Sequence, residues 1–140
     1  MSWFIYALLS ASFAALTAIL AKIGVKGVDS NLATAIRTTV ILLFTWGIVF
    51  FQGTYTQVTR ISQFSILFLI LSGLATGLSW LFYFRALQLG SASHVVSIDK
   101  LSLAITVILA VILLKEKLTA SLVIGTVLLT AGAILIGFSQ

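Results

Sequence analysis

Five long apolar runs constrain this chain more than any other feature of its sequence. They cover residues 3–21, 32–51, 64–84, 94–114 and 120–138. A helix that rises about 1.5 Å per residue needs about 20 apolar residues to cross a hydrocarbon core about 30 Å thick. The runs lack the apolar–polar alternation of membrane strands. The pattern therefore predicts an all-α, polytopic membrane helix bundle with five transmembrane helices.

The composition favours a membrane protein over a water-soluble domain. Hydrophobic residues make up 61% of the 140 residues and charged residues only 8%, against about 25% charged in ordinary globular domains. A water-soluble fold of this size has too much surface to hide so much apolar material. We therefore expect the chain to have the lipid bilayer as a partner and to cross a cell membrane several times. The expected membrane is a prokaryotic inner or plasma membrane.

Missing residue types exclude several kinds of site. The chain has no cysteine and one histidine, so we expect no metal site and no cofactor. Phosphate-binding loops, nucleophile elbows and paired carboxylates are absent, so we expect no catalytic residues and no enzyme. The net charge of +5 comes from eight scattered Lys and Arg. Without a basic run, nucleic acid is not an expected partner.

Two connecting segments carry turn signals. Residues 24–30 contain two glycines and an Asp29-Ser30 pair, which predicts an N-cap for the second helix. Residues 52–63 form the longest polar stretch and predict an aqueous loop. Lys22 and Arg85 are expected to end the first and third spans.

Several short motifs follow one another in the second half of the chain. They are FYFRALQLGSAS at 82–93, LLKEKLT at 113–119, and Gly125 with Ala131-Gly132 in the last span. In this order and spacing they resemble the EamA domain of the drug/metabolite transporter superfamily, whereas the first two spans agree only in length and placement. The family usually carries two such domains in ten spans. Residues 1–140 therefore resemble a single-domain, five-span member.

This resemblance implies a transporter of small metabolites or drugs and leaves the solute open. The family's fourth span often contains a proline, and this sequence has none. A proline-kinked gating helix is therefore in doubt for this chain. Our leading hypothesis is alternating access. The second hypothesis is a non-transporting membrane subunit, such as a lipid-flippase partner or an assembly factor.

The basic residues that flank the spans divide evenly between the two sides. With five spans, three lie on the N-terminal side (Arg60, Lys115, Lys117) and three on the other (Lys22, Lys26, Arg85). The positive-inside rule then gives no orientation. Either the counts are too small to matter, or the chain inserts both ways, with dual topology, and pairs with an inverted copy.

The odd number of spans favours the second alternative. Five spans place the termini on opposite sides, so a fused duplicate would be inverted, and inverted repeats are a common transporter architecture. One five-span unit encloses little volume for a solute path. We therefore expect a homodimer, antiparallel rather than parallel, in which the chain is half of a ten-helix inverted-repeat transporter. The path is expected between the first, third and fourth spans of each copy.

Asp99 is the one carboxylate inside a predicted span, because Asp29 and Glu116 lie in turns. An ionisable group in hydrocarbon costs at least about 2.5 kcal/mol, so such groups usually face a cavity or a partner. In a continuous helix Asp99, Ser102 and Thr106 share one face. We expect Asp99 to bind a proton or cation that couples to transport. The alternative is an ion pair that holds helices together.

Four other residues are candidates for binding solute or ions. Lys100 lies beside Asp99 and either contributes to the site or extends to the interface. Arg37 either binds an anion, pairs with Asp99 or lies at the interface. Trp80 and Tyr83 are three residues apart and form either a wall for a cationic or apolar solute or part of an interfacial aromatic belt.

Small residues at helical spacing predict where helices pack. The candidates are Gly73, Gly77, Gly125, Gly132, Ala133 and Gly137. Close backbone approach drives helix packing in lipid, because the hydrophobic effect does not drive helices together there. The alternative is that glycine and alanine are simply common in membrane helices.

Overall fold

The structure is a computed structural model that describes residues 2–139, with side chains from residue 3 onward. Its elements are α1 (Ser2–Gly24), α2 (Ser30–Phe51), a 3₁₀ helix (Thr54–Arg60), α3 (Gln63–Leu89), α4 (Ala92–Asp99), α5 (Leu101–Leu114) and α6 (Ala120–Phe138). Residues 2–139 contain no strand.

Five helical segments in that range are long and apolar enough to cross a membrane. They are Trp3–Gly24, Ser30–Phe51, Gln63–Leu89, Ala92–Leu114 and Ala120–Phe138. The predicted all-α fold with five spans is therefore confirmed. That residues 1–140 form a single domain stays a prediction, and its range exceeds the described residues by one at each end.

Two helices continue past the cations that were expected to end their membrane spans. The first helix runs on from Lys22 to Gly24, and the third runs on from Arg85 to Leu89. The hydropathy of the sequence indicates where a helix leaves the lipid. The helix itself continues into water, because its backbone hydrogen bonds also form there. A long basic side chain extends to the interface from within the last turns. The helices therefore extend beyond Lys22 and Arg85, and the expectation that these cations end the membrane spans stays a prediction.

Short polar side chains begin the helices that follow the loops. Asp29 accepts hydrogen bonds from the backbone N–H groups of Asn31 (2.9 Å) and Leu32 (3.1 Å), so the predicted N-cap of α2 is confirmed. Thr119 accepts from the Leu122 N–H (3.2 Å) at the start of α6. Each side chain satisfies donors that a helix N-terminus leaves unpaired.

The polar stretch between α2 and α3 is more ordered than an aqueous loop. Gly53 adopts φ 69°, a left-handed conformation suited to glycine, and the 3₁₀ helix follows it. Thr56 and Thr59 donate to the carbonyls of Gly53 (3.3 Å) and Thr56 (3.4 Å). These local bonds, which composition alone does not reveal, support the tight helix.

The fourth span consists of two helices and not one. The Lys100 N–H donates to the Ser97 carbonyl (3.1 Å), and the Leu103 N–H donates to the Lys100 carbonyl (3.0 Å). Both bonds span three residues, so the four-residue pattern of an α-helix is interrupted here. Proline, a frequent cause of such breaks, is absent, and the interruption falls on the two charged residues of the span.

The chain divides into two compact units. One combines the chain up to Lys22 with the chain from Leu89 onward, and the other is Ile23–Gln88. In the first unit, α4 and α5 pack against α6, in which Ala133 is buried. The second unit has a small buried core, made of Val25, Ser30, Thr34, Phe84 and Leu87.

Candidate functional site

The second unit holds a cation between aromatic rings inside its spans. The guanidinium carbon of Arg37, on α2, lies 4.8 Å from the ring centroid of Trp80 and 4.9 Å from that of Phe84, both on α3. Tyr83 lies near Arg37. Cation–π contacts at this distance are attractive, more so away from water. We call Arg37, Trp80, Tyr83 and Phe84 the arginine–aromatic cluster.

Helical spacing explains why these side chains meet. Trp80, Phe84 and Leu87 are four and three residues apart and share one face of α3, and Phe84 is 1% exposed. On α2, the Arg37 side chain follows the buried face marked by Ser30 and Thr34. The Thr34 hydroxyl donates to the Ser30 carbonyl (2.8 Å). That bond satisfies the Thr34 hydroxyl. Of the three residues on this face, Ser30, Thr34 and Arg37, only Arg37 is charged.

Gln88 fixes the end of α3 to the loop between the first two helices. Its Nε2 donates to the carbonyls of Val28 (2.6 Å) and Val25 (3.4 Å). Arg85 donates from Nη1 to the Gln88 Oε1 (3.1 Å) and so orients the amide. The sequence reasoning missed Gln88. The signal was a polar residue four positions after Phe84, on the same face and just beyond the apolar run.

The first unit carries Asp99 and Lys100 at the interruption of the fourth span. Asp99 ends α4, Lys100 lies in the turn, and both are exposed. No ion pair or hydrogen bond involves the Asp99 carboxylate among the described residues of this unit. Ser102 and Thr106 are exposed on α5. They are four residues apart and share a face of α5. The turn at Lys100 separates them from Asp99, and the expected common face with Asp99 stays a prediction.

Polar contacts in the same unit fix one end of its helices. Lys22 Nζ donates to the Gly90 carbonyl (2.6 Å). His94 donates from Nε2 to the Ser139 carbonyl (2.7 Å), and its Nδ1 is hydrogen-bonded by the Ser91 hydroxyl. The end of α6 is thereby attached to the start of α4.

The small residues expected at helix contacts differ in their surroundings. A Cβ added at Gly137 would overlap the side chain of Ile98 on α4. Other positions have nothing within 4 Å of an added Cβ, namely Gly73, Gly77, Gly125 and Gly132, and close packing there stays a prediction. Ala133 is 6% exposed.

An open cleft of about 500 Å³ lies at the far end of α2. It is lined by Trp46, Val49, Thr54, Gln57, Val58, Arg60 and Ile61, and none of these residues belongs to the predicted site.

Of the predicted candidates, Arg37, Trp80 and Tyr83 lie together in one unit, and Asp99, Lys100, Ser102 and Thr106 belong to the other. Residues 2–139 hold no group of three or more potential metal-ligating His, Asp or Glu residues.

Comparison with known proteins identifies the family. The model of the EamA-like transporter family matches residues 1–138. An uncharacterized transporter in the cobO 3′ region of Sinorhizobium sp. is 50% identical over 135 residues, which cover 96% of each chain. An uncharacterized protein of Methanocaldococcus jannaschii is 33% identical over 107 residues, which cover 70% of this chain and 78% of the relative. No solved structure matches. The chain is therefore a multi-pass membrane protein that belongs to the EamA-like transporter family.

Proposed function

We propose that this chain carries small metabolites or drug-like solutes across the cell membrane by alternating access in an antiparallel homodimer. In this proposal Asp99 binds the proton or cation that couples to transport. The family supports a membrane transporter, and the fourth span supports the finer assignment.

The observation that carries this proposal is the exposed carboxylate of Asp99 at the interruption of the fourth span. The segment Ala92–Leu114 is apolar enough to cross a membrane, yet its α-helical bonding stops at Lys100. Discontinuous spans in transporters supply unpaired backbone groups and side chains to solute and ion sites. An acid at that point, without an ion pair among the described residues of its unit, is suited to bind a mobile cation.

The antiparallel dimer rests on the odd number of spans and the balance of charge. Each side of the membrane receives three flanking cations, so neither orientation is favoured. Five spans then let two inverted copies form the two halves of one path.

Flux through purified protein tests the transport step. A library of metabolites is first screened for thermal stabilisation of the protein in detergent, and uptake of each stabilising solute is then measured in proteoliposomes under an imposed proton or sodium gradient. We expect gradient-driven uptake that Asp99→Asn abolishes and Glu116→Gln, the matched change in a loop, preserves. Absence of flux under every gradient would contradict the transporter proposal and favour the alternative of a non-transporting membrane subunit.

Topology tests the dimer separately. The chain has no cysteine, so Thr56→Cys and Asn31→Cys each introduce a single thiol, on opposite sides and without a change of charge. We expect a membrane-impermeant maleimide to label about half of each variant in intact cells if both orientations form equally. Labelling of one variant completely and of the other not at all would contradict dual topology.

A further inference from the structure

We infer that the transported solute carries an oxyanion, a carboxylate or phosphate group, and that Arg37 of the arginine–aromatic cluster binds it. This inference rests on the proposed function, because it assigns the chemical class of the solute. It starts from the fact that the face of Trp80 is already covered by a cation of the same chain, at 4.8 Å. A cationic solute would have to displace or approach that charge, and repulsion at short range in lipid disfavours both.

The positive charge of Arg37 has no carboxylate to neutralise it in its own unit. Residues 23–88 contain one carboxylate, Asp29, and it caps α2 by accepting the Asn31 and Leu32 N–H groups. No hydrogen bond from the guanidinium joins any of the described residues. A guanidinium has five N–H donors and no acceptor capacity, so several donors remain available to a ligand.

The aromatic rings position these donors without using them. Trp80 and Phe84 contact the guanidinium through their ring faces, whereas the N–H groups lie around the edge of the guanidinium plane. Phe84 is almost fully buried, which fixes one wall of the cluster. A planar, positioned fork of donors matches the two oxygens of a carboxylate or phosphate, and less rotational freedom is lost when a ligand binds.

Two sources could supply such an oxyanion, a soluble solute or the phosphate of a lipid headgroup. Arg37 lies seven residues after Ser30, which is about 10 Å along the helix axis, so in a span that begins at Ser30 it lies deeper than the headgroup phosphates. We commit to the soluble solute, and the test contains an arm for the lipid.

Quenching of Trp80 fluorescence reports on this site directly. The chain has three tryptophans, so Trp3→Phe and Trp46→Phe leave Trp80 as the single emitter. The purified protein in dodecylmaltoside, free of phospholipid, is titrated with iodide and with caesium at constant ionic strength. Attraction by a nearby guanidinium should raise the ratio of the iodide to the caesium quenching constant about fivefold above the ratio measured for N-acetyltryptophanamide in the same buffer, and this increase is the excess of iodide quenching. A ratio no higher than that of the free indole, or no quenching by either ion, would overturn the inference.

Variants assign the effect to Arg37. Arg37→Gln should remove the excess of iodide quenching, and Arg37→Lys, which keeps the charge, should retain most of it. Arg85→Gln removes an exposed arginine five residues from Trp80 on the same helix and should leave the excess intact. If Arg85→Gln lowers it as much as Arg37→Gln, a general surface field and not a site explains the result. Size-exclusion chromatography identifies any variant that does not fold, and Arg37→Met, which also removes the charge, then replaces Arg37→Gln in the comparison.

Competition identifies the source of the oxyanion. Sodium acetate and inorganic phosphate should each reduce iodide quenching in the Trp80 protein, whereas phosphatidylglycerol micelles should not. Suppression by phosphatidylglycerol alone would make the site a lipid site and overturn the inference. This readout needs no transport. Anion binding without flux would contradict only the proposed function, and flux without anion preference would contradict only the assignment of solute class.

Discussion

The arginine–aromatic cluster and the interrupted fourth span place charge within span-length apolar segments in two different ways. Arg37 is half-buried and lies against Trp80 and Phe84, so the protein itself replaces part of the lost water. Asp99 and Lys100 are exposed at a turn where helical bonding breaks, so their surroundings come from outside the described chain. Arg37 is partly covered by aromatic residues of its own unit. Asp99 and Lys100 at the interruption are exposed.

This difference predicts where each kind of substitution acts. A charge that its own protein covers affects both the stability of the fold and the binding of a ligand. The reason is that the same aromatic rings pack between the helices and position the charge. A charge that water, solute or a second copy must cover contributes little to the fold of one chain and much to whatever covers it. Stability measurements therefore separate the two regions before any solute is known.

Truncation of the buried wall of the cluster should give the largest loss. Phe84 is 1% exposed, and Phe84→Ala leaves a cavity beneath Arg37. We expect a loss of about 3 kcal/mol, the lower end for such changes, since lipid is itself apolar. Unfolding in mixed dodecyl sulfate and dodecylmaltoside micelles, followed by circular dichroism, measures it. Phe82→Ala on the same helix, at a side chain 74% exposed, should cost far less, and equal losses would show that the cluster is not packed.

A side chain added next to the interruption should give the second largest effect. Gly137→Ala places a Cβ about 2.7 Å from Cγ1 of Ile98, one residue before Asp99. We expect a loss of about 1–2 kcal/mol from the forced shift of Ile98.

The same substitution elsewhere on α6 serves as the control for Gly137→Ala. Gly132→Ala meets nothing within 4 Å and should raise stability by about 0.5 kcal/mol through helix propensity. Ile98→Ala should relieve the Gly137→Ala clash in the double variant. A Gly137→Ala variant as stable as Gly132→Ala would mean that α4 does not lie against α6 at this point.

Removal of the covered charge should have a smaller effect. Arg37→Gln loses two cation–π contacts, and we expect a cost of about 1 kcal/mol, offset in part because an intramembrane charge is no longer desolvated. Lys100→Gln removes an exposed charge and is the matched control, with a smaller change expected. A larger cost at Lys100 than at Arg37 would reverse the comparison between the two regions.

The sequence predicted the elements of the fold better than the details of the two charged regions. Apolar runs of span length predict five helices because lipid selects for length and hydropathy. The Asp29 cap was predictable because its signal is local. Arg37 and the Trp80–Tyr83 pair were each singled out as binding candidates, but their mutual contact depends on how α2 packs against α3, which no local pattern states.

The interruption at Lys100 is a feature that the sequence pattern did not predict. Without a proline, the pattern predicted one continuous span, and the shared face of Asp99, Ser102 and Thr106 followed from that assumption. The break depends on backbone bonds of Lys100 that span three residues, and composition does not encode them. The same is true of Gln88, whose two acceptors lie 60 and 63 residues away in sequence.

The smallest effect on stability is expected at the residue with the largest proposed effect on transport. Asp99→Asn keeps the size of an exposed side chain, and the carboxylate it replaces forms no ion pair among the described residues of its unit. Its unfolding curve should therefore lie within error of the unchanged protein, whereas gradient-driven uptake should be lost. The pair of measurements is informative in both directions. A large loss of stability would show that Asp99 is a structural partner, because only a charge already paired in the folded protein leaves its partner uncompensated when it is removed.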